Sequence, residues 1–156
     1  MEENKEKVEV NINKQNIELR KQLEETENYW NNSINSIANR LTKPVKEMVD
    51  LQAEVISIRQ ILTEQIKSMS YNLFKFRQKV KVFEKERLEF YILQYPGKTN
   101  FGEKAKLIEG DLAAYQYRID IFDIHVNFLR ETVKNVDQIS YAVKNKITLL
   151  QLTDME

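Results

Sequence analysis

A chain of 156 residues that is 42% hydrophobic and 31% charged, with 24 basic against 24 acidic side chains, has the composition of a helix-rich globular protein. Three glycines and two prolines are too few for the turns of an all-β fold. The lack of cysteine excludes disulfides, thiolate metal sites and cysteine nucleophiles; a charged start without an apolar core region, and no apolar run near the ~20 residues of a membrane span, set the expectation of a cytoplasmic protein without membrane contact.

The first dozen residues, through VEVNIN, alternate weakly and are highly charged. They read as a frayed tail, with a short strand as the other option. Leu19, Leu23, Trp30, Ile34, Ile37 and Leu41 then recur at three- and four-residue steps, with Thr26 filling one step, which is one face of a helix. Thr42-Lys43-Pro44 punctuates the chain, because proline fits a first helical turn and not an interior. A second helix is predicted to start near Pro44.

That helix carries a heptad seam through Leu62, Ile66, Met69, Leu73, Phe76, Val80 and Phe83. The seam extends back less regularly through Met48, Leu51, Val55 and Ile58. No Gly or Pro falls between residues 45 and 95, so an uninterrupted helix would run roughly 70 Å. A globule of this size cannot bury such an element, and it is expected to bend, break or pack against other chains. Tyr95-Pro96-Gly97 marks a loop over Gln94 to Gly102.

A third helix follows, with a seam of Ile108, Leu112, Tyr115, Ile119, Phe122, Val126, Leu129, Val133, Val136, Ser140, Val143, Ile147 and Leu150. Ile121, Ile124, Phe128, Ile139 and Leu149 widen its apolar face beyond a two-stranded seam. The expected fold class is all-α: long helices with heptad-like seams, in an elongated helical hairpin or bundle that self-associates. Tyr115, Ile119, Phe122, Val126, Leu129, Val133, Val136, Val143 and Ile147 are the expected oligomer interface.

Little in the chain points to catalysis. Gly97-Lys98-Thr99 ends like a phosphate-binding loop, but Ile92 stands where that motif needs its first glycine, and a helix precedes it where a strand is needed. It reads as a polar turn. His125 is the lone histidine, and Phe122 occupies the position where a Glu-x-x-His metal motif needs its carboxylate. It reads as a half-buried helix histidine. No nucleophile–base or paired-carboxylate arrangement stands out, so no enzyme, cofactor or metal is expected.

Charge is unevenly spread. Residues 1–30 hold eight Glu against five Lys and Arg. Between Lys67 and Arg87 the basic residues Lys67, Lys75, Arg77, Lys79, Lys81, Lys85 and Arg87 face only Glu84 and Glu86. The balance turns acidic again from Glu109 to Asp137. A basic segment between acidic ones points to a single polyanion-facing surface. Lysine and arginine neutralise phosphates, and aromatics stack on unpaired bases. The candidate nucleic-acid-binding residues are Lys75, Arg77, Lys79, Lys81, Lys85, Arg87 and Lys98, with Tyr91 for stacking. A solvated helix face with core aromatics is the competing reading, and Phe76 and Phe83 belong to that core. Arg87 sits where the seam is due an apolar residue, and a charge there is costly unless paired or exposed. The seam is therefore expected to open to solvent or a ligand near Arg87.

Lys85-Glu86-Arg87-Leu88-Glu89-Phe90-Tyr91 resembles a motif of the phage UvsY-type recombination mediators. That motif holds a lysine, one residue, Arg-Leu, an acidic residue and two aromatics at a helix end. A polar loop and a second helical segment follow it, as the loop and KAKLIEGDLAAYQYRI do here. Tyr141-Ala142-Val143-Lys144-Asn145-Lys146-Ile147 resembles the family's closing stretch. The resemblance runs roughly from Leu62 to Leu150. Phe90 departs from it by replacing a tyrosine, and Gln138-Ile139-Ser140 lacks the arginine the family carries before the closing aromatic. The resemblance implies a non-enzymatic, ring-like homo-oligomer that binds single-stranded DNA, weakens its complex with the single-strand-binding protein and helps load a RecA-like recombinase. It implies DNA contacts by Lys85 and Arg87. On this reading residues 1–43 form an N-terminal tail and helix, and 44–156 the helical oligomerisation and DNA-binding domain, within one structural domain. A structural or scaffolding coiled-coil protein, such as a virion component, is the alternative.

Overall fold

The computed structural model describes residues 2–44, 46–95, 97 and 100–153, and side chains over 11–44, 47–95, 97, 100–149 and 151–152. The protein is all-α: helix α1 spans Glu2–Arg40, α2 spans Lys46–Leu93 and α3 spans Phe101–Thr153. No strand occurs among the described residues. Residues 2–12, expected as a tail or strand, belong to α1. The helical stripe continues N-terminal to Leu19, because Ile12 and Asn16 are buried at the same three- and four-residue steps. Periodicity of the inner face outweighs the weak alternation of Val8, Val10 and Ile12.

Local chemistry sets the breaks. α1 ends where Leu41 N–H bonds to the Ala38 carbonyl at 3.1 Å and Thr42 Oγ1 donates to the Asn39 carbonyl at 2.9 Å. Pro44 stands just before α2 and its carbonyl accepts the Glu47 N–H at 3.1 Å. α3 opens with a reciprocal cap. Asn100 Oδ1 accepts the Glu103 N–H at 2.9 Å while Glu103 Oε2 accepts the Asn100 N–H at 3.0 Å, which satisfies two otherwise orphaned donors. α3 thus begins one residue before Gly102, inside the expected loop. A Cβ at Gly97 in that loop would lie 2.6 Å from the Tyr95 ring, so a larger residue there would require the ring to move.

Two compact units arise, Met1–Gln22 with Ser70–Ile124 and Leu23–Met69 with His125–Glu156. Each takes a segment from all three helices, so neither follows a boundary at residue 43. In each unit the α1 and α3 segments run parallel and α2 runs antiparallel to both. In the first unit Asn16 meets Ala114 and Arg20 meets Tyr117 further along both helices, whereas Arg87 meets Asp111 and Arg77 meets Asp123. In the second, Glu27 meets His125 and Leu41 meets Lys146, whereas Trp30 meets Gln65 and Arg40 meets Glu54.

The second unit holds a continuous core of Trp30, Ile37, Met48, Leu51, Val55, Leu62, Leu129, Val136, Ile139 and Val143. Met48, Leu51, Leu62, Leu129 and Val143 are wholly buried, each stabilising by about 1.5–3 kcal/mol. Trp30 is buried with its indole N–H donated to Gln65 Oε1 at 3.0 Å, the partner a buried indole needs. The α1 C-terminus is capped from α3. Lys146 Nζ donates to the Leu41 carbonyl at 2.8 Å and to the Lys43 carbonyl at 2.6 Å, placing a cation at the negative end of the helix dipole. The first unit is more aromatic. Tyr115 packs on Phe83 at 5.0 Å and on Phe76 at 6.4 Å between ring centroids.

This packing corrects the expected oligomer interface. Ile119, Val126, Leu129, Val136 and Val143 are buried within the chain. Val133 and Ile147 pack on the second unit's core, Tyr115 meets α2 rings, and Phe122 is half-buried. Three segments per unit supply the partners that two long seams alone would have had to find in other copies. α2 likewise stays one helix, with segments of its own chain as neighbours.

Candidate nucleic-acid interface

The α2 segment of the first unit, residues 70–93, has two faces. Leu73, Phe76, Val80, Phe83, Arg87 and Tyr91 turn inward, all buried or half-buried. The outward face carries Tyr71, Phe74, Lys75, Val82 and Lys85, with Lys79 and Lys81 beside it, all exposed. Three- and four-residue steps place them along one stripe, about 21 Å long from residue 71 to residue 85 at 1.5 Å per residue.

Tyr71 is 57% exposed and Phe74 58% exposed. Lys75 Nζ lies 4.4 Å from the Tyr71 ring centroid, a cation–π contact at an open site. No carboxylate among the described residues pairs with Lys75, Lys79 or Lys81. Lys85 Nζ stands 3.9 Å from Glu89 Oε1, with both side chains well exposed. Such a pair contributes only about 0.3–0.5 kcal/mol, so Lys85 can exchange Glu89 for a phosphate at small cost.

The other predicted residues are placed differently. Arg77 Nη2 donates to Asp123 Oδ2 in an ion pair whose two side chains are both partly exposed. Arg87 does not open the seam to solvent. Its Nε donates to Asp111 Oδ2 at 2.7 Å, with the arginine side chain 21% and the aspartate 6% exposed. The same Oδ2 accepts the Tyr91 hydroxyl at 2.8 Å. The guanidinium also lies 4.7 Å from the Phe90 and 5.3 Å from the Tyr91 ring centroid. Desolvation alone would lower the Arg87 pKa, but the Tyr91 hydroxyl and the Asp111 carboxylate outweigh it and raise the pKa above the ordinary value. Arg87 is thus a permanently charged partner inside the helix pair.

Tyr91 is 3% exposed, and its ring meets Phe90 at 5.2 Å and Tyr95 at 5.3 Å. It has no open face for a base, so its expected stacking role is corrected to a hydrogen-bonded core residue. Lys98 lies outside the described residues. His125, expected half-buried, is 1% exposed, with Nδ1 3.0 Å from Glu27 Oε1 and its ring against Phe128. No group of three or more His, Asp or Glu gathered as for a metal occurs among the described residues.

The structure adds Tyr71 and Phe74, which a motif-centred reading misses. The signal is present in the sequence: both stand off the Leu73-Phe76-Val80-Phe83 seam and among the lysines. The motif draws attention instead to the aromatics at 90 and 91, which packing consumes. No family model, curated protein or solved structure matches this chain.

Proposed function

We propose that the chain is a non-enzymatic, single-stranded DNA-binding protein of the recombination-mediator type, acting beside a recombinase and a single-strand-binding protein. The observation that carries this reading is the outward face of α2: Tyr71 and Phe74 exposed among Lys75, Lys79, Lys81 and Lys85. Open rings stack on unpaired bases of any sequence, and flanking ammonium groups follow the phosphates. Duplex bases offer no such faces, so the surface favours single strands. The resemblance of Lys85–Tyr91 to the mediator motif supports the same reading. Lys85 remains its phosphate contact, while Arg87 becomes the internal anchor of the helix that presents it.

The reading includes assembly into a homo-oligomer. Tyr141 and Leu152 are 69% and 61% exposed at the end of α3, which supplies an apolar surface for subunits to share, and repeated weak sites on one DNA strand then gain by avidity. The same surface also favours a second reading, a scaffolding helical protein without nucleic-acid binding.

Fluorescence anisotropy with a labelled oligothymidylate across a salt series separates them. The first reading expects the logarithm of affinity to fall with the logarithm of salt, by about 0.7 per phosphate contact. Replacing Lys75, Lys79, Lys81 and Lys85 together by alanine reduces that slope by up to ~3. Tyr71→Ala and Phe74→Ala each cost about 1–3 kcal/mol of binding with little change in slope. Wild-type protein that binds no oligothymidylate at about 50 mM salt, a permissive condition, overturns the reading in favour of the scaffold.

A further inference from the structure

A groove of about 700 Å³ runs between the α2 and α3 segments of the first unit. Leu88, Ile92, Phe101, Ile108 and Leu112 form its apolar lining, and the small Ala105 and Ala113 leave room within it. It is open to solvent: Ile92 is 55% and Phe101 80% exposed. The lining on α3 extends from Phe101 to Asp120, about 28 Å of helix. Large apolar side chains in this position are not explained by the lysine stripe, which holds Tyr71, Phe74 and Lys75 instead.

The charged groups of the groove are one-sided. Among the described residues that line it, Glu84, Glu109 and Asp120 are carboxylates and Lys104 is the single ammonium. Glu84 comes from α2 and the others from α3, so acidic groups flank the apolar lining from both helices. A long apolar trough with small residues and charged flanks accepts an amphipathic helix laid along it. The sign of the flanks then selects its chemistry, since like charges across an interface are costly and opposite ones steer and orient. We propose that this groove docks an amphipathic helix of a partner protein, apolar on one face and flanked by lysine or arginine. The site is separate from the lysine stripe, and the proposal does not rest on DNA binding.

The test uses the full chain and two labelled synthetic peptides of about 18 residues, enough to cover the groove as a helix. Both carry leucines at helical spacing; one is flanked by lysines and the other by glutamates. The lysine peptide is expected to bind at least about tenfold more tightly, the effect of a few rim charge pairs together. Ile92→Ser with Phe101→Ser, both at exposed positions, weakens the lysine peptide by about tenfold or more and leaves helical content and oligothymidylate binding unchanged. Glu84→Lys, Glu109→Lys and Asp120→Lys together reverse the preference to the glutamate peptide. Equal binding of the two peptides, or binding that ignores the Ile92 and Phe101 substitutions, overturns the proposal. So does a fall in the oligomeric mass of the Ile92/Phe101 variant with no peptide bound by the wild type, which assigns the groove to a second copy of the chain.

Discussion

Replacing Arg87 by methionine separates an anchoring residue from a phosphate contact. Methionine keeps most of the aliphatic bulk and removes the charge. The variant removes the guanidinium from the Asp111 carboxylate, which is 6% exposed and also accepts the Tyr91 hydroxyl. Breaking a fully buried pair costs about 3–5 kcal/mol. Arg87 keeps 21% of its side-chain surface in water, and the Tyr91 hydroxyl still bonds the carboxylate, so the expected cost is about 2 kcal/mol. For a chain of this length that is a fall in melting temperature of about 4–8 °C. Urea unfolding followed by far-ultraviolet circular dichroism reads it directly. Asp111→Asn strands the guanidinium instead and is expected to cost a similar amount. The double variant Arg87→Met/Asp111→Asn should then lose less than the sum of the two singles, because each removes the same interaction. The salt slope of oligothymidylate binding should be unmoved in Arg87→Met under conditions where it stays folded. An Arg87→Met protein with wild-type stability and a slope reduced by about 0.7, the value of one lost phosphate contact, refutes the internal role.

Other substitutions test the packing. Leu129→Ala removes a wholly buried side chain from the second unit's core and is expected to cost about 3–4 kcal/mol, read as a shift in the urea midpoint at unchanged m-value. Lys146→Met releases the Leu41 and Lys43 carbonyls and should cost about 1–2 kcal/mol, with faster proteolysis in the 41–44 connection.

The long helices were legible because their inner faces repeat over many turns. Leu62, Leu73, Ile119, Leu129 and Val143 lie on the seams and are all buried. The position of Pro44 and the Tyr95-Pro96-Gly97 signal located both connections within a few residues. What the periodicity could not give was the partner of each seam. Three segments per unit satisfy one another, so the residues assigned to other subunits became core. Arg87 shows the same limit in a single side chain. Its seam position required either solvent or a counter-charge, and the counter-charge is Asp111, 24 residues along on another helix. Lys146, read as part of a closing motif, caps a carbonyl pair 103 to 105 residues away. Pairings of that range depend on register between helices, which a one-dimensional pattern does not contain.

α2 therefore carries two sets of cations with opposite thermodynamic roles. Arg87 is desolvated and held by Asp111 and Tyr91, so its charge serves to keep α2 and α3 in register. Lys75, Lys79 and Lys81 remain hydrated and without a carboxylate among the described residues, so their charge is available to a polyanion. The distinction follows from side-chain chemistry. A planar guanidinium bonds a carboxylate and stacks on rings at once, which suits it to the aromatic interior at Phe83, Phe90 and Tyr91. A strongly hydrated ammonium on a flexible stem suits the surface. The two roles can be uncoupled by substitution. Changes at 75, 79, 81 and 85 should alter salt-dependent binding at constant stability, and changes at 87 and 111 should alter stability at constant salt slope. A protein in which both sets of variants shifted both quantities would show that the outward stripe and the inner clamp are not independent.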